Sequence, residues 1–231
     1  MTIGTISQIR IMFVVCQIRI MFVVCKIVKM FSFKNIYICY KECKKNKSNK
    51  INTLHFEVDL LSNLWKLYDE LNSKQYKIGK SICFLANSPK LREVFAADFK
   101  DRIVHHILVK QLEPLYEKKF IFDVYNNRKN KGIHKAIKKA QSYMHRYNNT
   151  GYYLQLDIKG FFYNLDKNIL FKQLFRDITT SNIDAEVKKK ILYISNKIIY
   201  HDPTRNYIFK GNKKNLYNLP THKTLFKIVK N

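Results

Sequence analysis

The segment YYLQLDI at residues 152–158 places the strongest constraint on how this chain folds. It is a short, mostly apolar run that follows the turn sequence NNTG at 148–151, a pattern typical of a strand inside a sheet. A strand of this kind has to be covered, and we expect it to be buried on both faces. It would then hold Asp157 rigidly at its carboxyl end.

Two longer segments instead place apolar residues at helical spacing. Residues 55–72 predict a helix that faces the core, and residues 101–120 predict a second one. The second has Asp98 or Asp101 available as a cap, and Pro114 is expected to kink or divide it.

Residues 76–99 alternate in polarity and contain Gly79 and Pro89, which indicates two short strands and a turn. Further helices are predicted after Gly132, after Asp166 as an N-cap, and from Ala185. In the first of these, Ile133, Ala136, Ile137, Ala140 and Met144 are expected to face inward. Helices and strands do not alternate in a regular βαβ rhythm, so the predicted class is α+β and helix-rich.

The charge of the chain points to a polyanionic partner. There are 43 Lys and Arg residues against 17 Asp and Glu, a net charge of +26, and nucleic acid is the leading candidate for such a surface. Lys shares A/T-rich codons with Asn, Ile, Tyr and Phe, so gene composition is an alternative source of part of the excess. Composition does not explain why the charges cluster, as they do in KECKKNKSNK, a run that ends at residue 50. We interpret this run as a solvated face or linker.

Other features exclude several classes of protein. Five cysteines at irregular spacing provide no disulfide framework and suit a reducing cytosol, so we expect a cytoplasmic protein. Cys39, Cys43 and His55 are not followed by a second pair at zinc-site spacing. No apolar run reaches the roughly 18 residues that a membrane-spanning helix needs, so no membrane partner is expected.

The first 29 residues contain a tandem repeat. QIRIMFVVC at 8–16 recurs unchanged at 17–25, with arginines inside its apolar runs, which is not the pattern of a signal peptide. We interpret residues 1–29 as an aberrant extension and expect the functional protein to begin at Met30. The predicted organisation is then 1–29, 30–150 and 151–231.

Three segments together resemble consecutive motifs of a known enzyme family. They are SPKLREVFAADFKDRIVHHILVKQLEP, YNNRKNKGIHKAI and YYLQLDIKGFFYNLDK, in that order. They resemble prokaryotic reverse transcriptases, and most closely those of diversity-generating retroelements and group II introns. The resemblance runs from about Phe33 to the last residue. It implies a right-hand polymerase with fingers at 30–150 and the start of a palm, with an incomplete sheet, at 151–231.

The resemblance also implies roles for individual residues in RNA-directed DNA synthesis. Asp157 would be a catalytic ligand of Mg²⁺, with the backbone carbonyl of Ile158 as another ligand, in a two-ion site with ions about 3.5–4 Å apart. Phe162 would lie beneath the sugar of the incoming deoxynucleotide, with Phe161 beside it. Arg92 and, less directly, Lys100 would neutralise the triphosphate.

The second motif has the character of a surface that follows phosphates. A glycine and a helix N-terminus stand among its cations, and Tyr125 could stack on a base. The alternative is an exposed basic helix that is only solvated. The predicted contacts to RNA template and primer are Arg128, Lys129, Lys131, Lys135, Lys138 and Lys139.

The family's later Tyr-x-Asp-Asp motif has no counterpart, because the chain contains no Asp-Asp pair. We therefore expect an incomplete N-terminal portion that is inactive alone, with the other acids supplied by a complementing C-terminal half or an accessory protein. Two alternatives stay open: a non-catalytic RNA-binding module, and a relative of defence-associated polymerases that work without a template.

Overall fold

The computed structural model describes residues 30–87, 91–147, 150–158, 160–161, 164–212, 219 and 224–226. The predictions for the extension at 1–29 and for Phe162 lie outside these residues. Within them the fold is a mixture of helices with one small sheet, which confirms the α+β class. No helix in the described part of the chain is both long and apolar enough to cross a membrane.

The described elements follow one another as seven helices and three strands. They are α1 (Phe33–Lys44), α2 (Ile51–Glu57), α3 (Leu60–Asn72), β1 (Ser81–Ala86), β2 (Arg92–Ala96), α4 (Phe99–Glu117), α5 (Ile133–Arg146), α6 (Lys167–Thr179), α7 (Ala185–Tyr200) and β3 (Tyr207–Lys210).

A helical core forms around α4, because its apolar residues recur every three or four positions and make one continuous stripe. This stripe packs against α1 and α7, and α1 in turn packs against α3. The helix starts are fixed by side chains: Asp98 caps α4 through the Lys100 amide, and Asp166 caps α6 through two amides. Both caps confirm the sequence predictions. The core side chains include Ile36, Cys39, Leu64, Leu67, Leu71, Ile103, Ile107, Ile178, Ile191 and Ile194.

Two predicted helices differ in their boundaries from the sequence prediction. The segment predicted as one helix at 55–72 is divided between α2 and α3. In contrast, α4 runs through Pro114 as one helix and ends at Glu117, one turn later, so Pro114 does not divide it.

The three strands form a sheet in the order β2-β1-β3. The predicted hairpin is confirmed, since β1 and β2 are antiparallel, while β3 joins β1 in parallel. One face is closed by the chain end: the ring of Phe226 lies 5.7 Å from that of Phe95, and buried Glu93 accepts hydrogen bonds from the Thr224 hydroxyl (2.6 Å) and the Leu225 amide (3.0 Å). Among the described residues, the opposite face is open to a cavity.

The strand predicted at 152–158 is not formed. These residues have no regular secondary structure, and their side chains are exposed. A strand is stable only when neighbouring strands pair with its backbone, and β1, β2 and β3 pair only with one another among the described residues. The prediction of a buried strand that holds Asp157 rigidly is therefore wrong.

The prediction that the apolar residues of α5 face inward is also wrong. None of the fourteen residues of α5 is buried. The helix forms as its spacing predicts, but its apolar side has no described element packed over it.

Candidate nucleic-acid interface

The loop before α5 is shaped by residues that accept left-handed backbone angles. Asn127 (φ 52°) and Asn130 (φ 60°) both adopt this region, which Asn tolerates better than most residues. Gly132 has φ 120° at the start of α5, where any side chain would strain the backbone. The loop therefore turns back along one side of the helix.

Between this loop and α5 lies a groove of about 460 Å³. On a helix with 100° per residue, Lys135, Lys138 and Lys139 share one side, and this is the side that lines the groove. The loop supplies the aromatic residues Phe122 and Tyr125 together with Lys131. Four of the six predicted nucleic-acid contacts thus come together in one place, and we call this feature the lysine groove.

Contacts within the lysine groove hold its aromatic wall against α5. Asp123 accepts hydrogen bonds from the hydroxyls of Tyr143 (2.9 Å) and Tyr125 (3.0 Å), and these bonds hold the pKa of its carboxyl below the usual value. Lys131 Nζ lies 3.4 Å from the ring centroid of Phe122 and donates to the Phe122 carbonyl oxygen at 2.7 Å. The groove is cationic, and the hydrogen bond between Tyr143 and Asp123 joins its two walls.

The other two predicted contacts lie elsewhere. Lys129 is exposed and does not line the groove. Arg128 donates to both carboxylate oxygens of Glu117 at 2.8–3.1 Å and to the carbonyl oxygens of Ile121 (2.9 Å) and Val124 (3.2 Å). These bonds occupy most of its donors, so Arg128 ties the loop to the end of α4 in this structure.

The two predicted triphosphate ligands do not lie in the same cavity. Arg92 is exposed at the start of β2. Lys100 lies in a polar cavity of about 440 Å³ that Arg92 does not line, and its ammonium is 3.0 Å from Glu70 Oε2. The structure therefore gives Lys100 an internal partner.

The residues of the predicted catalytic centre are open to solvent. Asp157 and Ile158 are exposed in the segment at 150–158, and Phe161 is also exposed. No group of three or more His, Cys, Asp or Glu side chains that could hold a metal ion is found among the described residues. Mg²⁺ needs a near-octahedral set of oxygen ligands, and Asp157 with the Ile158 carbonyl offers only two. The described residues alone do not fit a two-ion site.

A second cationic site, which sequence reasoning missed, lies over the open face of the sheet. The strand register places Ile82, Phe84 and Ala96 on this face, where they form the floor of a cavity of about 540 Å³. The cations at its rim come from the α1–α2 connection, α4 and β3: Lys47, Lys50, Arg102 and Lys210. No Asp or Glu is among its described lining residues. We call this feature the sheet-face site.

The signal for the sheet-face site was partly present in the sequence. Lys47 and Lys50 belong to the basic run KECKKNKSNK, whose pattern predicts a solvated face or linker. The position of this run beside β1 depends on tertiary packing. Lys210 reaches the site because β3 pairs with β1 in parallel, in a register that places Lys210 beside Phe84. Neither contact leaves a local pattern.

Among the buried and half-buried titratable groups, Asp101 has structural partners, while His105 and His106 are affected mainly by burial. Asp101 accepts hydrogen bonds from the Tyr76 hydroxyl (2.6 Å) and the Gly79 amide (3.0 Å), while burial raises its pKa. His105 and His106 are both half-buried on α4, and desolvation lowers the pKa of each.

No protein-family model matches this chain, and no curated protein matches it either. What the chain does must therefore be inferred from its own residues and their geometry.

Proposed function

We propose that this chain binds RNA, or primer paired with RNA template, as the nucleic-acid-holding portion of a reverse-transcriptase-type nucleotidyltransferase in the cytoplasm. The observation that carries the proposal is the sheet-face site, in which four cations and no described acid surround an apolar floor. That arrangement suits a ligand with anionic edges and a flat, apolar middle.

Single-stranded nucleic acid has this combination. Its phosphates are attracted to fixed cations with release of counterions, and its bases stack on aromatic side chains regardless of sequence. In the sheet-face site, Phe84 offers a ring on the floor, while Lys47, Lys50 and Lys210 lie at the rim. Arg102 is fixed there by a hydrogen bond of 2.9 Å from its Nε to the Ala97 carbonyl oxygen.

The lysine groove supplies a further set of phosphate contacts. With a rise of 1.5 Å per residue, Lys135 and Lys139 are about 6 Å apart along α5, close to the spacing of neighbouring phosphates in an extended strand. Tyr125 on the opposite wall is in position to meet a base. The two cationic sites together favour a polynucleotide over a single small anion.

The polymerase part of the proposal is supported by the three ordered motifs. On that basis residues 30–150 correspond to fingers and 151–231 to the start of a palm. Asp157 is then the proposed Mg²⁺ ligand, and Arg92, Phe161 and Phe162 are proposed to meet the deoxynucleotide triphosphate. Since the described residues do not complete the metal site, further acids have to come from elsewhere, through a complementing half or an accessory protein.

The test of nucleic-acid binding measures affinity for a single-stranded RNA across a range of salt concentrations. Replacing Lys47, Lys50 and Lys210 with Ala should reduce the slope of log affinity against log salt by about 0.7 per lost contact, or about 2 in all. A matched control replaces the exposed lysines Lys34, Lys74 and Lys172, which removes the same charge outside the site. Equal losses in both triple variants would mean that only net charge matters, and the sheet-face site would lose its support.

Primer extension separates the polymerase from the second candidate, a non-catalytic RNA-binding module. Asp157 is exposed and belongs to no group of three metal-binding side chains among the described residues, which favours this second candidate for the chain alone. We expect negligible extension by the purified chain with Mg²⁺, and RNA binding that is unchanged by Asp157→Ala. Extension that requires both RNA template and Asp157 would instead establish polymerase activity in this chain, and extension without template would favour the template-independent relatives.

A further inference from the structure

The helix α5 has two opposite faces, and only one belongs to the lysine groove. At 100° per residue, Ile133, Ile137 and Met144 lie about 180° away from the groove lysines. Their exposed fractions are 70%, 48% and 59%. An amphipathic helix normally buries such a face, and no element in the described part of the chain covers this one.

The segment that follows α5 has backbone groups that are free to pair with another strand. Among the described residues, the amides and carbonyls of residues 151–157 make no hydrogen bond with one another or with other parts of the chain. If the segment pairs as a strand, its period of two places Tyr152, Leu154, Leu156 and Ile158 on one side. Leu156 is 82% exposed.

The unpaired backbone decides between two classes of partner. A basic amphipathic helix alone would suit a membrane surface. An extended segment with unpaired amides and carbonyls does not, because a bilayer interior offers them no hydrogen-bond partners. A polypeptide strand satisfies them by pairing alongside, and it can cover the apolar side chains at the same time.

The charge of the region specifies the partner further. Residues 118–158, which we call the arm, contain nine Lys or Arg residues and two acidic residues. A second copy of this chain would bring the same positive charge, on top of a net +26 per chain. An acidic strand partner is attracted instead.

We propose that the arm is a docking site for an acidic protein, which adds a β-strand along residues 151–158 and packs apolar side chains against the exposed face of α5. Its apolar contacts use the face of α5 opposite the lysine groove and do not require the groove residues, although the acidic partner and RNA are attracted by the same cations. The arm binds this protein through main-chain hydrogen bonds, and the apolar residues fix the register.

The test uses the full chain and a synthetic strand-length peptide in which valine and glutamate alternate. Amide hydrogen exchange at residues 151–158 should slow by about tenfold or more at a saturating concentration of peptide. A matched peptide with alternate amides N-methylated cannot complete the ladder and should give no protection. Equal protection by both peptides, or by neither, would overturn the proposal.

Two substitutions at one position isolate the backbone. Leu156→Pro removes an amide that has no partner among the described residues, so folding should be retained, while strand addition and protection should be lost. Leu156→Ala removes a similar apolar contact and keeps the amide, so protection should persist at a higher peptide concentration. Loss of protection in both variants to the same extent would contradict strand addition.

Binding of a lipid surface or of a second copy of the chain to the arm would give different results. Protection of α5 by anionic lipid vesicles but not by the peptide would identify a membrane-surface helix, and concentration-dependent dimerisation in sedimentation with protection at 151–158 would identify a second copy. Either result overturns the proposal. RNA affinity measured on Leu156→Pro should equal that of the unaltered chain, so failure of the docking site and failure of the proposed function are distinguishable.

Discussion

The helical core and the arm contain apolar residues at equally regular helical spacing, yet these residues have opposite surroundings. In the core, Ile103 and Ile107 of α4 are fully buried between α1 and α7. In the arm, Ile133 and Ile137 of α5 face outward with no described element over them. Periodicity therefore predicts that a helix forms and which side is apolar, but not what covers that side.

The largest expected difference between the two regions is in stability. Ile107→Ala should lower the free energy of unfolding by about 2–5 kcal/mol, because it removes buried methyl groups and leaves a cavity. Ile137→Ala, the same substitution on α5, should change it by less than about 0.5 kcal/mol, because that side chain is already partly in water. Urea denaturation of the two variants provides the measurement. A large loss for Ile137→Ala would show that the face of α5 is covered within the chain.

This contrast also explains how much the sequence could predict. The caps at Asp98 and Asp166 and the hairpin of β1 with β2 depend on local chemistry, and all were predicted. The sheet-face site depends on Lys47 and Lys210, which are far apart in sequence and meet through packing and strand pairing. The segment at 152–158 was predicted as a strand from its composition alone, but strand formation depends on a neighbour that local composition does not reveal.

The next largest effect is expected where a buried polar group joins the core to the sheet. Tyr76→Phe removes the hydroxyl that donates to Asp101 at 2.6 Å and leaves that carboxylate with the Gly79 amide as its described partner. The free energy of unfolding should fall by about 1–3 kcal/mol. Tyr143→Phe, which removes a comparable hydrogen bond to exposed Asp123 in the arm, is the matched control and should have a smaller effect. Equal effects would contradict the difference in burial.

The free energy of unfolding should depend moderately on pH, and the histidines responsible should lie outside the arm. Burial holds the pKa of His105, His106 and His201 below the usual value of 6.5. The unfolded chain therefore binds protons at these sites more readily than the folded protein does. Their contribution to stability is fully present above about pH 6.5 and is lost as the pH falls through 6.5 towards the folded-state values.

The measurement is the free energy of unfolding at pH 7.5 and pH 5.5. It should be lower at pH 5.5, and His105→Gln with His201→Gln should reduce the difference. His134 and His145, both exposed on α5, provide the matched control pair, whose replacement should leave the difference unchanged. A difference that survives both pairs of substitutions would assign the pH dependence to other groups.

The smallest effect is expected at the point where the two regions join. Arg128 ties the loop of the arm to Glu117 at the end of α4 by charge-assisted hydrogen bonds that involve both its Nε and Nη2. Arg128→Lys keeps the charge but loses the planar fork, so amides at 121–131 should exchange several-fold faster while global stability changes little. The lysine groove depends on this loop, so Arg128→Lys should also lower RNA affinity slightly. The matched control is Lys129→Ala, which removes a whole charge from an exposed site outside the groove and should lower RNA affinity less. If Lys129→Ala has the larger effect on RNA affinity, charge near the arm matters more than the shape of its groove, and the anchoring role of Arg128 would be excluded.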